Sequence, residues 1–276
     1  MKLSLSTRIA ESSSRKDVAA IPIEELAPLA ADAGFAALSM RASVIDVSSE
    51  TDRRARVRAV LDSAGLGVSM VMGDVPLAAN SPEAPQALRN ITPYLDLAEA
   101  LGGSLVRVMM HHDDDVPHAQ RAADEARERG MTLSHQTHWG TLCETVEATL
   151  ETVGKVGRGN FGVTFEPANL LACGSDYGDD AICRLAPHLV NVYFQNLCID
   201  PDGSHSFKTW TKGPVSVRYL ALDDPAGLSA ANMVRALSNA DYDGWITVHQ
   251  PLRDGQSVNQ AVDEAVGVFA PLVSPA

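Results

Sequence analysis

The chain has 276 residues, of which 45% are hydrophobic and 21% charged, a composition typical of folded globular proteins rather than disordered ones. Its formal net charge of −13 disfavours nucleic acid as a partner, because phosphate binding needs a basic face. No apolar run approaches the ~18 residues of a membrane span, and the start of the chain is too polar for a signal peptide. The sequence therefore predicts a cytoplasmic protein without a membrane partner.

Helical stretches that end at glycine alternate with short apolar runs along the sequence. The runs predict eight strands, at 3–9, 35–40, 68–72, 104–110, 131–136, 161–166, 189–196 and 245–249. The helices predicted between and after them lie at 22–34, 51–64, 85–103, 119–130, 141–157, 179–186, 228–240 and 258–269. Glycine just after a helix commonly forms a left-handed cap, so these breaks have a physical cause.

This alternation predicts an α/β protein in which residues 1–276 form one (β/α)8 TIM barrel. An open, doubly wound sheet is the less favoured alternative, because no G-x-G-x-x-G motif follows the first strand. The segment 200–224 interrupts the alternation and is expected to be a long loop after strand seven. Such a loop would lie on the catalytic face of the barrel.

Polar side chains follow most of the predicted strands, where the chemistry of such barrels takes place. In chain order they are Arg8, the run from His111 to Asp115, Gln136 with His138 and Trp139, Glu166 with Asn169, Tyr193 with Gln195, and His249. Taken singly, each of them could be a loop cap, and the acidic run could be a solvated helix start. Together they predict a working site, because successive strands end in groups that bind metals or transfer protons.

The ends of four strands resemble the sugar phosphate isomerase/epimerase family, whose members have the xylose isomerase-like fold. The matching stretches are Gln136-Thr137-His138-Trp139-Gly140, Glu166-Pro167-Ala168-Asn169, Tyr193-Phe194-Gln195-Asn196 and Gly244-Trp245-Ile246-Thr247-Val248-His249. The resemblance covers nearly the whole chain. It implies a xylose isomerase-like TIM barrel that acts on a sugar or a sugar derivative.

The resemblance also implies a divalent metal, Mn or Mg, held by residues at four strand ends. The family's two Glu, one Asp and one His correspond here to Gln136, Glu166, either Tyr193 or Gln195, and His249, so three carboxylates become one. Oxygens of Gln and Glu and a nitrogen of His can still form an octahedral site, with lower expected affinity. The candidate metal ligands are therefore Gln136, Glu166, Gln195 and His249.

The same replacements change the expected chemistry, because the family's two acid/base Glu residues correspond to Gln136 and His249. Gln cannot transfer protons, so a symmetric two-carboxylate epimerisation is not expected. His249 can act as an acid or a base near neutral pH, and Glu166 is the one carboxylate at the matched positions. The catalytic candidates are His249 as the proton shuttle, Glu166 and His138.

We therefore expect an isomerase- or epimerase-like enzyme, or a lyase or hydratase of keto-sugars, with a small sugar as its partner. The candidate substrate-binding residues are Arg8, His111, Trp139, Asn169, Trp210 and Lys212. The alternative is a non-catalytic sugar-binding barrel or an inactive partner subunit, which the loss of acidic ligands favours. An endonuclease is disfavoured by the acidic charge. Homo-oligomers are common in the family that the sequence resembles.

Overall fold

Eight parallel strands close into a barrel in the computed structural model, which describes residues 1–12 and 15–273. The strands in chain order are β1 (Lys2–Ser6), β2 (Ala37–Met40), β3 (Gly67–Val71), β4 (Leu105–Val108), β5 (Thr132–Gln136), β6 (Phe161–Phe165), β7 (Leu189–Phe194), β8 (Leu197–Ile199), β9 (His205–Thr209), β10 (Gly213–Tyr219) and β11 (Trp245–Val248). Strands β1 to β7 and β11 form the barrel, and β11 closes it by pairing with both β1 and β7. The predicted (β/α)8 barrel is confirmed, and the open-sheet alternative is wrong.

Helices surround the barrel. They are α1 (Ile23–Asp32), α2 (Thr51–Ser63), α3 (Val75–Ala79), α4 (Gln86–Arg89), α5 (Thr92–Leu101), α6 (Val116–Glu128), α7 (Val146–Val156), α8 (Pro167–Cys173), α9 (Asp179–Leu185), α10 (Ala230–Asn239) and α11 (Val258–Val273). Short 3-10 turns cover Thr7–Ala10, Asp113–Asp115 and Ala186–His188. None of the helices within the described residues has the length and apolarity needed to cross a bilayer.

The helix predicted at 85–103 is two helices, α4 and α5. The chain leaves the helical conformation at Asn90, and α5 begins with Pro93 in its first turn. Proline is favoured there because its missing N–H would have no partner within the helix, whereas inside a helix it would break the hydrogen-bond pattern. The left-handed Gly102 ends α5, and Gly157 ends α7 in the same way, as the glycine pattern predicts.

The two faces of the barrel strands differ in chemistry. Outward-facing side chains such as Leu5, Leu38 and Leu133 are fully buried in the apolar layer between strands and helices. Inward-facing side chains are largely polar and pair across the barrel, as Ser4 does with Ser69 (Oγ to Oγ, 2.6 Å). Because successive side chains of a strand point to opposite faces, the polar positions continue inward to the ends of the strands.

A small sheet lies in the connection after β7, in the order β8-β10-β9 with antiparallel pairing. It includes much of the segment 200–224, for which the sequence analysis did not predict strands. The alternation of Phe207 and Thr209 (buried) with Ser206 and Lys208 (exposed) is the pattern of a strand with one covered face. This sheet stands over the carboxyl ends of the barrel strands, where its residues help to line the central cavity.

Candidate functional site

A cavity of about 220 Å³ opens at the carboxyl ends of the barrel strands. The predicted site residues that line it are Arg8, Gln136, His138, Trp139, Glu166, Asn169, Gln195 and His249. Most of them meet because parallel strands end at the same rim of the barrel and because their positions continue the inward-facing series of each strand. Asn169 reaches the cavity from α8, and Trp139 from the loop after β5. The volume lies below the ~300–1,000 Å³ of pockets for drug-sized ligands, so a small molecule suits it.

Glu166 is fully buried at the base of this cavity, directly after β6. The side-chain amides of Gln136 and Gln195 donate to its two carboxylate oxygens, one to each, and Asn169 Nδ2 donates to Oε2 at 2.9 Å. Burial raises the pKa of Glu166 to about 7, although Arg8 and the amide donors favour its charged form. Glu166 thus exchanges its proton close to neutral pH, which suits a general acid or base.

His249 follows β11 on the same rim, and its ring is fixed on two sides. Its Nδ1 lies 2.9 Å from Ser6 Oγ, and its face stacks on the ring of Tyr193. Burial lowers the pKa of His249 well below its usual value, and Arg8, Arg41 and other cations lower it further. The imidazole is therefore neutral at neutral pH.

His138 and Trp139 form the wall of the cavity that faces the small sheet. His138 Nδ1 contacts Trp139 O at 2.9 Å and Asn80 Nδ2 at 3.1 Å, and burial holds its pKa well below the usual value. The Trp139 ring stacks on Phe207 of β9, with ring centroids 5.4 Å apart. One face of the indole is thus occupied by protein, which makes Trp139 a support of the cavity wall.

Three predicted substrate-binding residues, His111, Trp210 and Lys212, lie outside the lining of the cavity. His111 lies behind the wall, with its Nε2 3.1 Å from Asn80 Oδ1. Trp210 is 54% exposed, and only its backbone N–H is held, by Glu144. Lys212 lies beside Gly174, in the turn between β9 and β10. Long-range packing decided these positions, and nothing in the local sequence indicates it.

Several residues that line the cavity were missed by the sequence analysis. They are Lys16, Ala78, Ala79, Asn80, Arg41, Arg107, His205, Ser206, Phe207 and Tyr219. Two of them carried a usable signal, since Arg41 directly follows β2 and Arg107 is a charge within the apolar strand β4. The others come from the end of α3, from loops and from the small sheet, whose position over the barrel the sequence pattern does not show.

The cavity is electropositive although the protein is acidic. Arg8, Lys16, Arg41 and Arg107 all line it, against the single carboxylate of Glu166. Outside its wall, Glu11 forms an ion pair with Arg41 (Nε to Oε2, 2.6 Å) and with Lys16 (Nζ to Oε1, 2.9 Å). Positive side chains therefore exceed negative ones at the site.

The four candidate metal ligands do not fit a divalent cation. Both oxygens of Glu166 already accept amide hydrogens, and Gln195 Oε1 accepts a hydrogen bond from Arg8 Nη1 at 3.0 Å. Among the described residues, no three or more His, Cys, Asp or Glu side chains are grouped so as to hold an ion. Because hard cations need several oxygen ligands with negative charge, a cavity lined with arginines opposes their binding.

Comparisons with known proteins agree with the architecture. A family model described as xylose isomerase-like TIM barrel matches residues 27–272. None of the curated proteins matches the sequence significantly.

Three solved structures illustrate the range of similar barrels. The probable 3-DHS dehydratase AsbF involved in petrobactin synthesis from Bacillus anthracis has a TM-score of 0.69 at 16% identity, over 98% of this chain and 99% of that one. D-allulose 3-epimerase from Methylomonas sp. has a TM-score of 0.68 at 14% identity, over 99% and 98%. A xylose isomerase-like TIM barrel protein from Mycobacterium smegmatis in complex with magnesium has a TM-score of 0.69 at 14% identity, over 99% and 97%. At these identities the similarity establishes the fold alone.

Proposed function

We propose that this chain, which belongs to the xylose isomerase-like TIM barrel family, is a sugar-modifying enzyme that moves a proton on a small carbohydrate derivative. The observation that carries the proposal is Glu166, a single buried carboxylate at the base of the cavity, whose pKa burial raises to about 7. An epimerase and a dehydratase among the similar structures support sugar chemistry in this kind of barrel.

In the proposed reaction Glu166 removes a proton from the carbon next to a substrate carbonyl. Its pKa near neutrality lets it accept this proton and then release it in the next step. The proton returns to the neighbouring carbon in an isomerisation, or to a departing hydroxyl group as water in a β-elimination. A single base is sufficient for either outcome.

His249 is proposed to act on the carbonyl oxygen. Ser6 Oγ accepts the backbone N–H of Arg8 at 3.3 Å and has its own proton to donate to His249 Nδ1. Nε2 of the neutral ring then carries the hydrogen and can donate it to the substrate oxygen. Together with Arg8 and Arg107 on the cavity wall, this donor would stabilise the negative charge that develops when the C–H bond breaks.

The reaction is tested by incubating the full chain with keto-sugars and sugar acids in D₂O and following loss of substrate C–H signals by NMR. This readout detects proton removal even when the product is unknown. We expect Glu166→Gln to slow exchange by ~10²–10⁴-fold and His249→Asn to slow it strongly. His118→Gln, on the outer surface of α6, is the control and should exchange as the wild type does. Unchanged exchange in Glu166→Gln would refute the proposal.

A non-catalytic sugar-binding barrel is the second candidate, and the surroundings of Glu166 favour it. Three amide donors fill both carboxylate oxygens, an arrangement that also suits a purely structural carboxylate. Thermal stabilisation by sugars without any exchange in D₂O would identify this alternative.

A further inference from the structure

Arg8 and Arg107 line the cavity without an ion pair to any carboxylate of the described residues. No carboxylate among the described residues lies within 4.0 Å of either guanidinium. The Nε atoms of both side chains are buried and have no hydrogen-bond partner in the described chain. Arg107 is 2% exposed, and its Nη1 donates to the backbone oxygen of Leu77 at 2.6 Å. A buried charge of this kind is costly unless something of opposite charge compensates for it.

The surrounding side chains increase this imbalance. Arg41 and Arg107 approach the same sulfur atom, Met72 Sδ, at 3.3 and 3.5 Å. Glu11 is already shared between Arg41 and Lys16, so it does not neutralise Arg107. Both Arg8 and Arg107 act electrostatically on Glu166, His138 and His249, which places their positive field within the cavity.

We propose that the ligand of this cavity carries an oxyanion, a carboxylate or a phosphate, which compensates the charges of Arg8 and Arg107. The inference rests on the proposed function and narrows its substrate class from sugars in general to acidic sugar derivatives. Guanidinium groups are well matched to both oxyanions, because their planar N–H groups bind two oxygens at once. A volume of about 220 Å³ favours one sugar-sized unit that bears this group.

The test is a thermal-shift and calorimetric titration of the full chain at constant ionic strength. The carboxylate probes are D-glucuronate, D-gluconate and acetate, and the phosphate probes are D-glucose 6-phosphate and inorganic phosphate. D-glucose is the neutral control. We expect stabilisation by the anions and none by the neutral sugar. A response confined to the carboxylates identifies a sugar acid, and one confined to the phosphates identifies a sugar phosphate. If no anion stabilises the protein more than D-glucose does, the inference is wrong.

Variants locate the binding site. Arg107→Met should weaken anion binding at least tenfold, and Arg8→Gln, at a position that is only partly buried, gives the same test if the first variant does not fold. Arg54→Met is the control, because Arg54, like Arg107, donates to backbone oxygens, those of Ser49 and Val47, but lies outside the cavity. Anion binding that survives in Arg8→Gln and in any folded Arg107→Met protein would overturn the assignment.

The two proposals fail in different ways. Anion binding without proton exchange on any sugar would refute the enzymatic function and leave the oxyanion site standing. Proton exchange on neutral sugars without any response to the anions would refute the oxyanion site and leave the enzymatic function standing.

Discussion

The ring of Tyr193 lies face to face on the ring of His249, with centroids 4.0 Å apart and planes inclined by 8°. The Tyr193 hydroxyl is held in turn by Ser39 Oγ at 2.8 Å, across the barrel. The sequence left open whether Tyr193 or Gln195 faces the site. The structure assigns different tasks to them, since Gln195 donates to Glu166 while Tyr193 supports the imidazole from below.

This stack predicts different results for two substitutions of Tyr193. Tyr193→Phe keeps the ring and loses one hydrogen bond, so we expect a decrease of about 1 kcal/mol in the free energy of unfolding. Tyr193→Leu removes the stacked ring and leaves a gap under His249, with an expected decrease of about 2–4 kcal/mol. Urea denaturation measures both values. Equal losses in the two variants would show that the stack contributes nothing beyond the hydrogen bond.

The ion pair of Glu11 and Arg41 predicts a large loss of stability when one partner is neutralised. Both side chains are 2% exposed, and Glu11→Gln would leave the buried Arg41 charge unpaired. We expect the free energy of unfolding to fall by about 3–5 kcal/mol. Asp62→Asn is the control, because its pair with Arg58 is exposed on α2 and should contribute less than about 1 kcal/mol. Similar losses in both variants would show that burial of the Glu11–Arg41 pair does not increase the cost of neutralising one partner.

The burial of His135 should make the free energy of unfolding depend on pH. Burial lowers its pKa to about 4, and the neutral ring accepts the Met110 N–H at Nε2 while Nδ1 contacts Gln136 O. An unfolded His has a pKa of about 6.5, so between these values the unfolded state binds a proton that the folded state does not. Stability is therefore lost as the pH falls from about 6.5 towards 4, by up to about 1.4 kcal/mol per pH unit from this residue.

The measurement is the free energy of unfolding against pH in the wild type and in His135→Gln. We expect a shallower slope in the variant over that window. The variant is compared with the wild type because Glu166 also affects the dependence of stability on pH. Its pKa is raised in the folded state, so its contribution to stability increases as the pH falls, opposite to that of His135. An equal slope in His135→Gln would exclude His135 as the source.

Two glycines predict opposite effects of the same substitution. A Cβ added at Gly154, on the exposed side of α7, meets no atom within 4 Å, so Gly154→Ala should stabilise the protein by about 0.5–1 kcal/mol. At Gly162 in β6 the same carbon would lie 2.8 Å from His188 O and 2.5 Å from a methyl group of Val190. Gly162→Ala should destabilise by about 1–3 kcal/mol. Thermal denaturation of both variants measures whether each substitution raises or lowers the stability of the protein.

Much of the fold followed from local pattern, because glycine caps and apolar runs are readable without knowledge of contacts. The exceptions have specific causes. The first strand ends at Ser6 rather than Ile9, since the chain turns into a 3-10 helix at Thr7. Strands β8 to β10 were missed because β8 has three residues and because β10, although seven residues long, has Val217 as its one fully buried position, so alternation is weak in both.

The sequence by itself determined the eight-fold alternation of strand and helix and which polar side chains end the strands, among them Gln136, Glu166 and His249. Only the tertiary structure decided what surrounds them. Arg41 and Arg107 come from other strands, and Arg8 from the far end of the chain, yet all three act on His249. The physical reason is that burial and charge act through space, so the pKa of the His249 imidazole depends on residues remote in the sequence. The barrel could be read from local pattern, whereas the positive charge of its cavity required the packed molecule.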